Sequence, residues 1–225
     1  MKHLIISTLW ALGLFTAQAE DGFKHLFDGK TLEGWDGNPA FWSVQDGAIT
    51  GITTKEKPTK GNTFCIWRGG EPADFELHVT FRIGDAGNSG VQFRSKDKGN
   101  WVIAGYQADF DAGGKWIGTL YEEKGRGVLA KRGNKVTVSV DGKKQNTGKT
   151  ATEDEIQKII KKGDWNHYVI RAKGNHLTQT LNGVLTVDVT DNHEAGRAMK
   201  GLIALQLHAG PPMKVQFKDI KLKEL

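Results

Sequence analysis

The sequence predicts an all-β fold: an antiparallel jelly-roll sandwich with one short helix in a connection. Three observations predict it. Apolar and polar residues alternate with period two over about a dozen short runs. Gly, Asn and Asp punctuate nearly every junction between those runs. Strands do not alternate with helices, which argues against a parallel α/β sheet.

The elements follow in chain order. "MKHLIISTLWALGLFTAQAED" has a charged start at Lys2, an apolar run from Leu4 to Phe15, and small residues at Ala17 and Ala19. That pattern predicts a secretory signal over residues 1–19, cut after Ala19. Residues 20–225 are then expected to fold as one domain. The chain would be periplasmic or extracellular, with no membrane span once the signal is removed.

"WSVQDGAITGI" reads as a hairpin turning at Asp46-Gly47. "DFELHVTFRIG" puts Phe75, Leu77, Val79 and Phe81 on one face and Glu76, His78, Thr80 and Arg82 on the other. "SGVQFRS", "WVIAGYQADF", "WIGTLYEE" and "KVTVSV" follow. Then come "HYVIRAK", "HLTQTL", "VLTVDVT", "GLIALQLH" and "KVQFKDIKL". Asn182-Gly183 predicts a type I′ hairpin. "TATEDEIQKIIKKG" is the one helical segment: Thr152 and Glu155 form a capping box, Ile156, Ile159 and Ile160 share a face, and Gly163 can end it.

Composition narrows the function. The formal charge is +5, but basic and acidic residues interleave, which argues against a nucleic-acid groove. Cys65, the single cysteine, lies among large apolar residues in "TFCIW" and reads as a buried structural thiol. No zinc-type spacing of Cys and His occurs, and no Gly-rich phosphate loop follows a strand into a helix.

Parity identifies the candidate site. Gln92 and Arg94 share one face of their strand, opposite Val91 and Phe93. Gln107 and Asp109 face away from Tyr106, Ala108 and Phe110, and Gln206 and His208 face away from Leu205 and Leu207. Three strands thus each present a pair of hydrogen-bonding groups. Amides, an Arg, an Asp and a His are groups that read sugar hydroxyls. Glu122, Glu123 and Arg126, in "GTLYEEKGRG", add a charged cluster that is either a solvated hairpin tip or a carboxylate held for ligand contact. Of seven tryptophans, Trp35, Trp42 and Trp165 read as core or rim packing. Trp101 and Trp116 flank the 105–111 strand, where one could stack on a sugar ring.

The ordered pieces "FKHLFDGKTLEGW", "FWSVQDGAITG", "DFELHVTFRI…GNSGVQFRS", "GYQAD", "GTLYEE…GR", "WNHYVI", "LNG" and "GLIALQLHAG…VQFKDIKL" resemble the 3-keto-disaccharide hydrolase family over residues 23–224. The resemblance implies a concanavalin-like jelly roll acting on sugars already oxidised at carbon 3. Many members carry Glu-x-Gln where this chain has Gln107 and Asp109. The implied reaction removes the proton on carbon 2, and the enolate expels the glycosidic oxygen at carbon 1. The outcome is net hydrolysis where water then adds back, and a lyase product where it does not. An upstream oxidoreductase would make the ketone. On this reading His208 or Asp109 is the base and Glu122 the acid. Arg94 and Gln107 bind the enolate and hydroxyls, while Gln92, Glu123, Arg126 and Gln206 bind substrate. A divalent metal ion could replace Arg94, with Asp109, Glu122 and His208 as ligands. The competing readings are a non-catalytic carbohydrate-binding module, an ordinary glycosidase or polysaccharide lyase, and a cell-surface interaction protein.

Overall fold

A computed structural model describes residues 22–225; the expected signal segment, 1–19, lies outside them. In chain order the strands are β1 (Lys24–His25), β2 (Trp35–Asp36), β3 (Trp42–Gln45), β4 (Ala48–Thr53), β5 (Thr63–Trp67) and β6 (Phe75–Ile83). Next come β7 (Asn88–Asp97), β8 (Ile103–Asp111), β9 (Thr119–Glu123), β10 (Gly127–Ala130), β11 (Asn134–Val138) and β12 (Lys144–Lys149). Helix α1 (Glu153–Ile159) precedes β13 (Asn166–Lys173), β14 (His176–Leu181), β15 (Val184–Asp191), β16 (Leu202–Leu207) and β17 (Met213–Glu224).

Two sheets form the expected sandwich. The larger runs β12-β11-β15-β14-β13-β6-β17-β4-β3, with β1 paired to β17. The smaller runs β10-β9-β8-β7-β16-β5-β2. Pairing is antiparallel except between β11 and β15, which run parallel. A parallel neighbour needs a long crossover, and the chain from β12 through β14 supplies one.

Alternation explains which side faces in. Phe75, Leu77, Val79 and Phe81 from the large sheet meet Val91, Phe93, Tyr106, Ala108 and Phe110 from the small one in a single core cluster. Phe81 lies 4.0 Å from Phe110, centroid to centroid. Burying each such ring contributes about 1.5–3 kcal/mol. Strand β5 was not visible as an alternating run, because all five of its residues are buried. Thr63, Cys65 and Trp67 take one side, with Cys65 and Trp67 in the main core. Phe64 and Ile66 take the other, joining Ile103, Leu202 and Ala204 in a small outer cluster. Burial pushes the Cys65 thiol up, as an inert structural thiol requires.

Local signals mostly act as expected. Asn182 and Gly183 have φ of 46° and 88°, the left-handed pair of a type I′ turn. Glu155 N donates to Thr152 Oγ1, and Thr152 N donates to Glu155 Oε2, completing the capping box. The helix ends at Ile159, short of Gly163, because Ile160 is already extended. Asn166 intervenes there, accepting from Lys161 N and donating to Lys161 O.

Candidate active site

The outer face of the small sheet carries a cavity of about 380 Å³. Strands β7, β8, β9 and β16 floor it through Asn88, Gln107, Asp109, Tyr121, Glu123 and Gln206. Register accounts for the convergence: Gln107 pairs with Gln92 on one side and Tyr121 on the other, and Asp109 pairs with Gly90 and Thr119. Period two then puts Gln92, Gln107, Asp109, Tyr121 and Glu123 on one face. His208, just past β16, and Trp116, in the β8–β9 connection, close the sides. Trp116 N donates to Asp111 Oδ1, which fixes where the indole stands.

A glycine makes room at the centre. A Cβ on Gly90 would lie 2.4 Å from Gln107 Cγ. Only a residue without a side chain lets Gln107 lie flat across the neighbouring strand.

The polar groups form a directed chain. Ser95 Oγ donates to Gln92 Oε1 at 2.7 Å, and Gln92 Nε2 donates to Gln107 Oε1 at 2.8 Å. Gln107 Nε2 donates to Asp109 Oδ1 at 3.3 Å and to Gln206 Oε1 at 3.5 Å. Asn88 Nδ2 donates to the same Asp109 Oδ1 at 3.0 Å. Gln206 Nε2 and Asn62 Nδ2 donate to Glu123 at 3.5 and 3.4 Å. The bonds tighten toward the sheet and lengthen toward the cavity. Bonds near 3.5 Å are weak, so those amides can turn to a ligand at little cost.

Asp109 is the carboxyl of the cavity whose acidity is displaced. It is 5% exposed. Burial pushes its carboxyl up to about 7, against the opposing hydrogen bonds from Asn88 and Gln107. A carboxyl titrating near neutrality can accept a proton and release it. His208 is half-buried, with Nδ1 against Ala209 O. A carbonyl only accepts, so Nδ1 carries the proton and Nε2 is the acceptor in the neutral ring.

The structure brings Gln107, Asp109, Glu123, Gln206 and His208 together, with Gln92 directly behind Gln107. It corrects three other expectations. Arg94 does not face the cavity. The β7–β8 register shifts between Phe93 and Lys96, and Arg94 has φ of 46°. That irregularity reverses its parity. Its guanidinium is buried between the sheets, donating to Ala73 O, Gly174 O, Ala198 O and Asp74 Oδ1.

Glu122 and Arg126 are the second and third corrections. Glu122 pairs with Tyr106 across β8–β9, and Tyr106 is a core residue, so Glu122 points inward. Arg126 Nε donates to Glu122 Oε2 at 2.6 Å, and its terminal nitrogens reach Asp191 at 3.0 and 2.7 Å. Tyr106 Oη donates to Asp191 Oδ2 at 2.7 Å. These groups clasp the two sheets together. With Glu122 on that side, Asp109, Glu122 and His208 do not form a ligand set. Among the described residues no group of three His, Cys, Asp or Glu side chains is placed to hold a metal ion.

Sequence reasoning missed Asn62, in the loop before β5, and Asn88, at the start of β7. Asn62 stands outside any alternating run and carries no periodic signal, whereas Asn88 shares the parity of Gln92 in "NSGVQFRS" and was legible from it. Glu123 and Tyr121 were separable from Glu122, since they alternate with it and pair with Gly105 and Gln107 on the outer parity of β8.

Comparison with known proteins adds the following. Residues 22–223 match the family described as the 3-keto-alpha-glucoside-1,2-lyase-like domain. A 3-keto-disaccharide hydrolase of Bacteroides thetaiotaomicron is 33% identical over 100 residues, which is 37% of this chain and 33% of that protein. The matched segment thus spans about a third of that relative's length. Two putative glycosyl hydrolases of Parabacteroides distasonis share the fold. One has a TM-score of 0.60 and 20% identity over 91% of this chain and 94% of that one. The other has 0.58 and 21% over 90% and 99%. The carbohydrate-binding module CBM66 of Bacillus subtilis has a TM-score of 0.57 and 16% identity, over 85% and 96%.

Proposed function

The chain belongs to the 3-keto-alpha-glucoside-1,2-lyase-like family, and from that premise we propose that it cleaves the glycosidic bond of 3-keto-glycosides by elimination across carbons 1 and 2. The observation that carries this reading is Asp109: a carboxyl raised to about 7, on the floor of a cavity lined otherwise by amides, an aromatic wall, a histidine and Glu123, whose carboxylate accepts from two of those amides.

The ketone at carbon 3 acidifies the proton on carbon 2. Asp109 takes that proton, and the electron pair delocalises onto the ketone oxygen as an enolate. The enolate then collapses, forming a carbon 1–carbon 2 double bond and breaking the carbon 1–oxygen bond. Asn62, Gln206 and Tyr121 can donate to the developing oxyanion, which needs donors in place before charge appears. His208, when protonated at Nε2, delivers a proton to the departing oxygen. This role replaces the one first given to Glu122. Glu123 accepts from the amides and orients substrate hydroxyls. Addition of water to the unsaturated sugar then gives net hydrolysis. An ordinary glycosidase needs two opposed carboxyls across the scissile bond; the elimination needs a single base of near-neutral pKa.

In this reading the chain works in the periplasm or outside the cell, downstream of an oxidoreductase that makes the ketone. The test is to mix residues 20–225 with a 3-keto disaccharide, beside its unoxidised parent, with and without chelator. Release of the second sugar from the keto compound alone is expected. Binding of the plain disaccharide with no turnover of either would make the protein a carbohydrate-binding module instead. Loss of turnover with chelator would add a metal to the mechanism.

A further inference from the structure

A second cleft, of about 410 Å³, lies next to the first. Asn62 lines both. Its other walls include Asn38, Phe41, Thr59, Asn100 and Val102. These come from three separate stretches: the approach to β3, the β4–β5 loop, and the β7–β8 turn.

We infer that this cleft is the subsite for the leaving group, holding the second pyranose of a disaccharide while the keto ring sits over Asp109. This rests on the function proposed above. No Asp or Glu lines the second cleft, and its one ionisable side chain is Lys60, so it offers no carboxylate base. Its walls are amphipathic in the way a pyranose is. Phe41 and Val102 offer apolar surface, and asparagine amides offer both donors and acceptors. The Phe41 ring already takes a polar neighbour, with Lys57 Nζ over it at 5.9 Å from the centroid. The Thr59 hydroxyl is sheltered from solvent without a hydrogen-bond partner, so the protein leaves this wall incompletely satisfied.

The cleft is also braced before any ligand arrives. Trp101 Nε1 donates to Asp36 Oδ1 at 2.6 Å, and Phe64 N donates to Trp101 O at 2.9 Å. Lys98 N donates to Val102 O, closing the turn that carries Asn100. Preformed walls reduce the ordering cost of binding. Asn62 joins the two clefts chemically: its Oδ1 accepts from Ala209 N, beside His208, and its Nδ2 reaches Glu123. A glycosidic oxygen between the two rings would therefore lie near the groups proposed to protonate and orient it.

The test uses calorimetric titration of the Asp109→Asn variant, which leaves the substrate intact. The probes are a 3-keto disaccharide and the corresponding 3-keto methyl glycoside, which has no second ring. The disaccharide should bind about tenfold more tightly, a difference of about 1.4 kcal/mol. Adding Thr59→Val and Asn100→Gly should remove most of that preference and leave methyl glycoside affinity within about twofold. Asn100 has φ of 53°, so glycine keeps its backbone. Phe41→Ala should act the same way.

Equal affinity for the two probes, or variants that weaken both alike, would overturn the subsite. If the wild type turns nothing over but the binding preference and its loss appear, the subsite stands and the elimination reading falls. Turnover without any preference for the disaccharide retires the subsite and leaves the chemistry. Absence of binding by either probe overturns both.

Discussion

Glu122 and Glu123 are adjacent in the chain and sit in different chemistry. Glu122 points between the sheets, where Arg126, Asp191 and Tyr106 bind one another at 2.6–3.0 Å. Glu123 points outward, where two amides reach it only at 3.4 and 3.5 Å. Both clusters contain acids, amides or arginines, and both are largely buried. In the inner one both carboxylates, Glu122 and Asp191, contact the Arg126 guanidinium. Asp191 is held below the usual carboxylate range by Arg126 and Tyr106, although burial opposes its charge. In the outer one Asp109 has no cation, and burial raises it to about 7. The difference separates a fastening from a site: one cluster is electrostatically complete, and the other is left for a ligand to complete.

The largest effect should come from breaking the inner cluster. Asp191→Ala leaves Arg126 and Tyr106 buried without their shared acceptor. Removing one partner of a buried ion pair costs about 3–5 kcal/mol. The urea midpoint should fall accordingly, and activity per folded molecule should change little. An unchanged midpoint would show that the clasp holds nothing.

The outer cluster should respond in the opposite direction. The Asp109 carboxyl holds its proton in the native state up to about pH 7, whereas the unfolded chain releases it near the ordinary 3.8. Between those values the native state binds more protons, so stability falls as pH rises and then levels off above 7. Asp109→Asn removes that loss. It should therefore raise the unfolding free energy at pH 8 by an amount on the order of a few kcal/mol, with the gain vanishing near pH 3.5. Thermal melts of both proteins across that range check it. Loss of stability at pH 8 would mean that Asp109 is a structural carboxylate.

A smaller effect should follow from Gly90→Ala. The new methyl meets the Gln107 side chain, which must leave its place over the sheet. Overpacking of this kind costs about 1–3 kcal/mol. Turnover should drop by more than stability explains, because Gln107 is the amide that links Gln92 to Asp109. Equal losses in both would deny Gln107 a place in the site.

Much of this comparison was legible in the sequence. Period two fixed the outer face of β8 and β16, because those strands run without interruption from Ile103 to Asp111 and from Leu202 to Leu207. It failed at Arg94, where the strand pairing slips and the backbone turns left-handed. One irregular residue there moves a side chain through the sheet, and no residue type announces it. Glu122 and Arg126 were misplaced for another reason. They were weighed as a charged cluster, when alternation from Leu120 already sends Glu122 inward. Their true partner, Asp191, lies 65 residues away from Arg126, a distance no local pattern spans. Asn62 enters through tertiary placement alone, whereas Asn88 shares the parity of Gln92 on β7.

The most direct measurement is the pH dependence of kcat/KM on a 3-keto disaccharide, for the wild type and for Asp109→Asn. If Asp109 is the base, the wild-type profile should have an ascending limb with its midpoint near 7. The variant should lose about 10²–10⁴-fold and that ascending limb with it. A variant that keeps both the rate and the limb would contradict the assignment of Asp109 as the base.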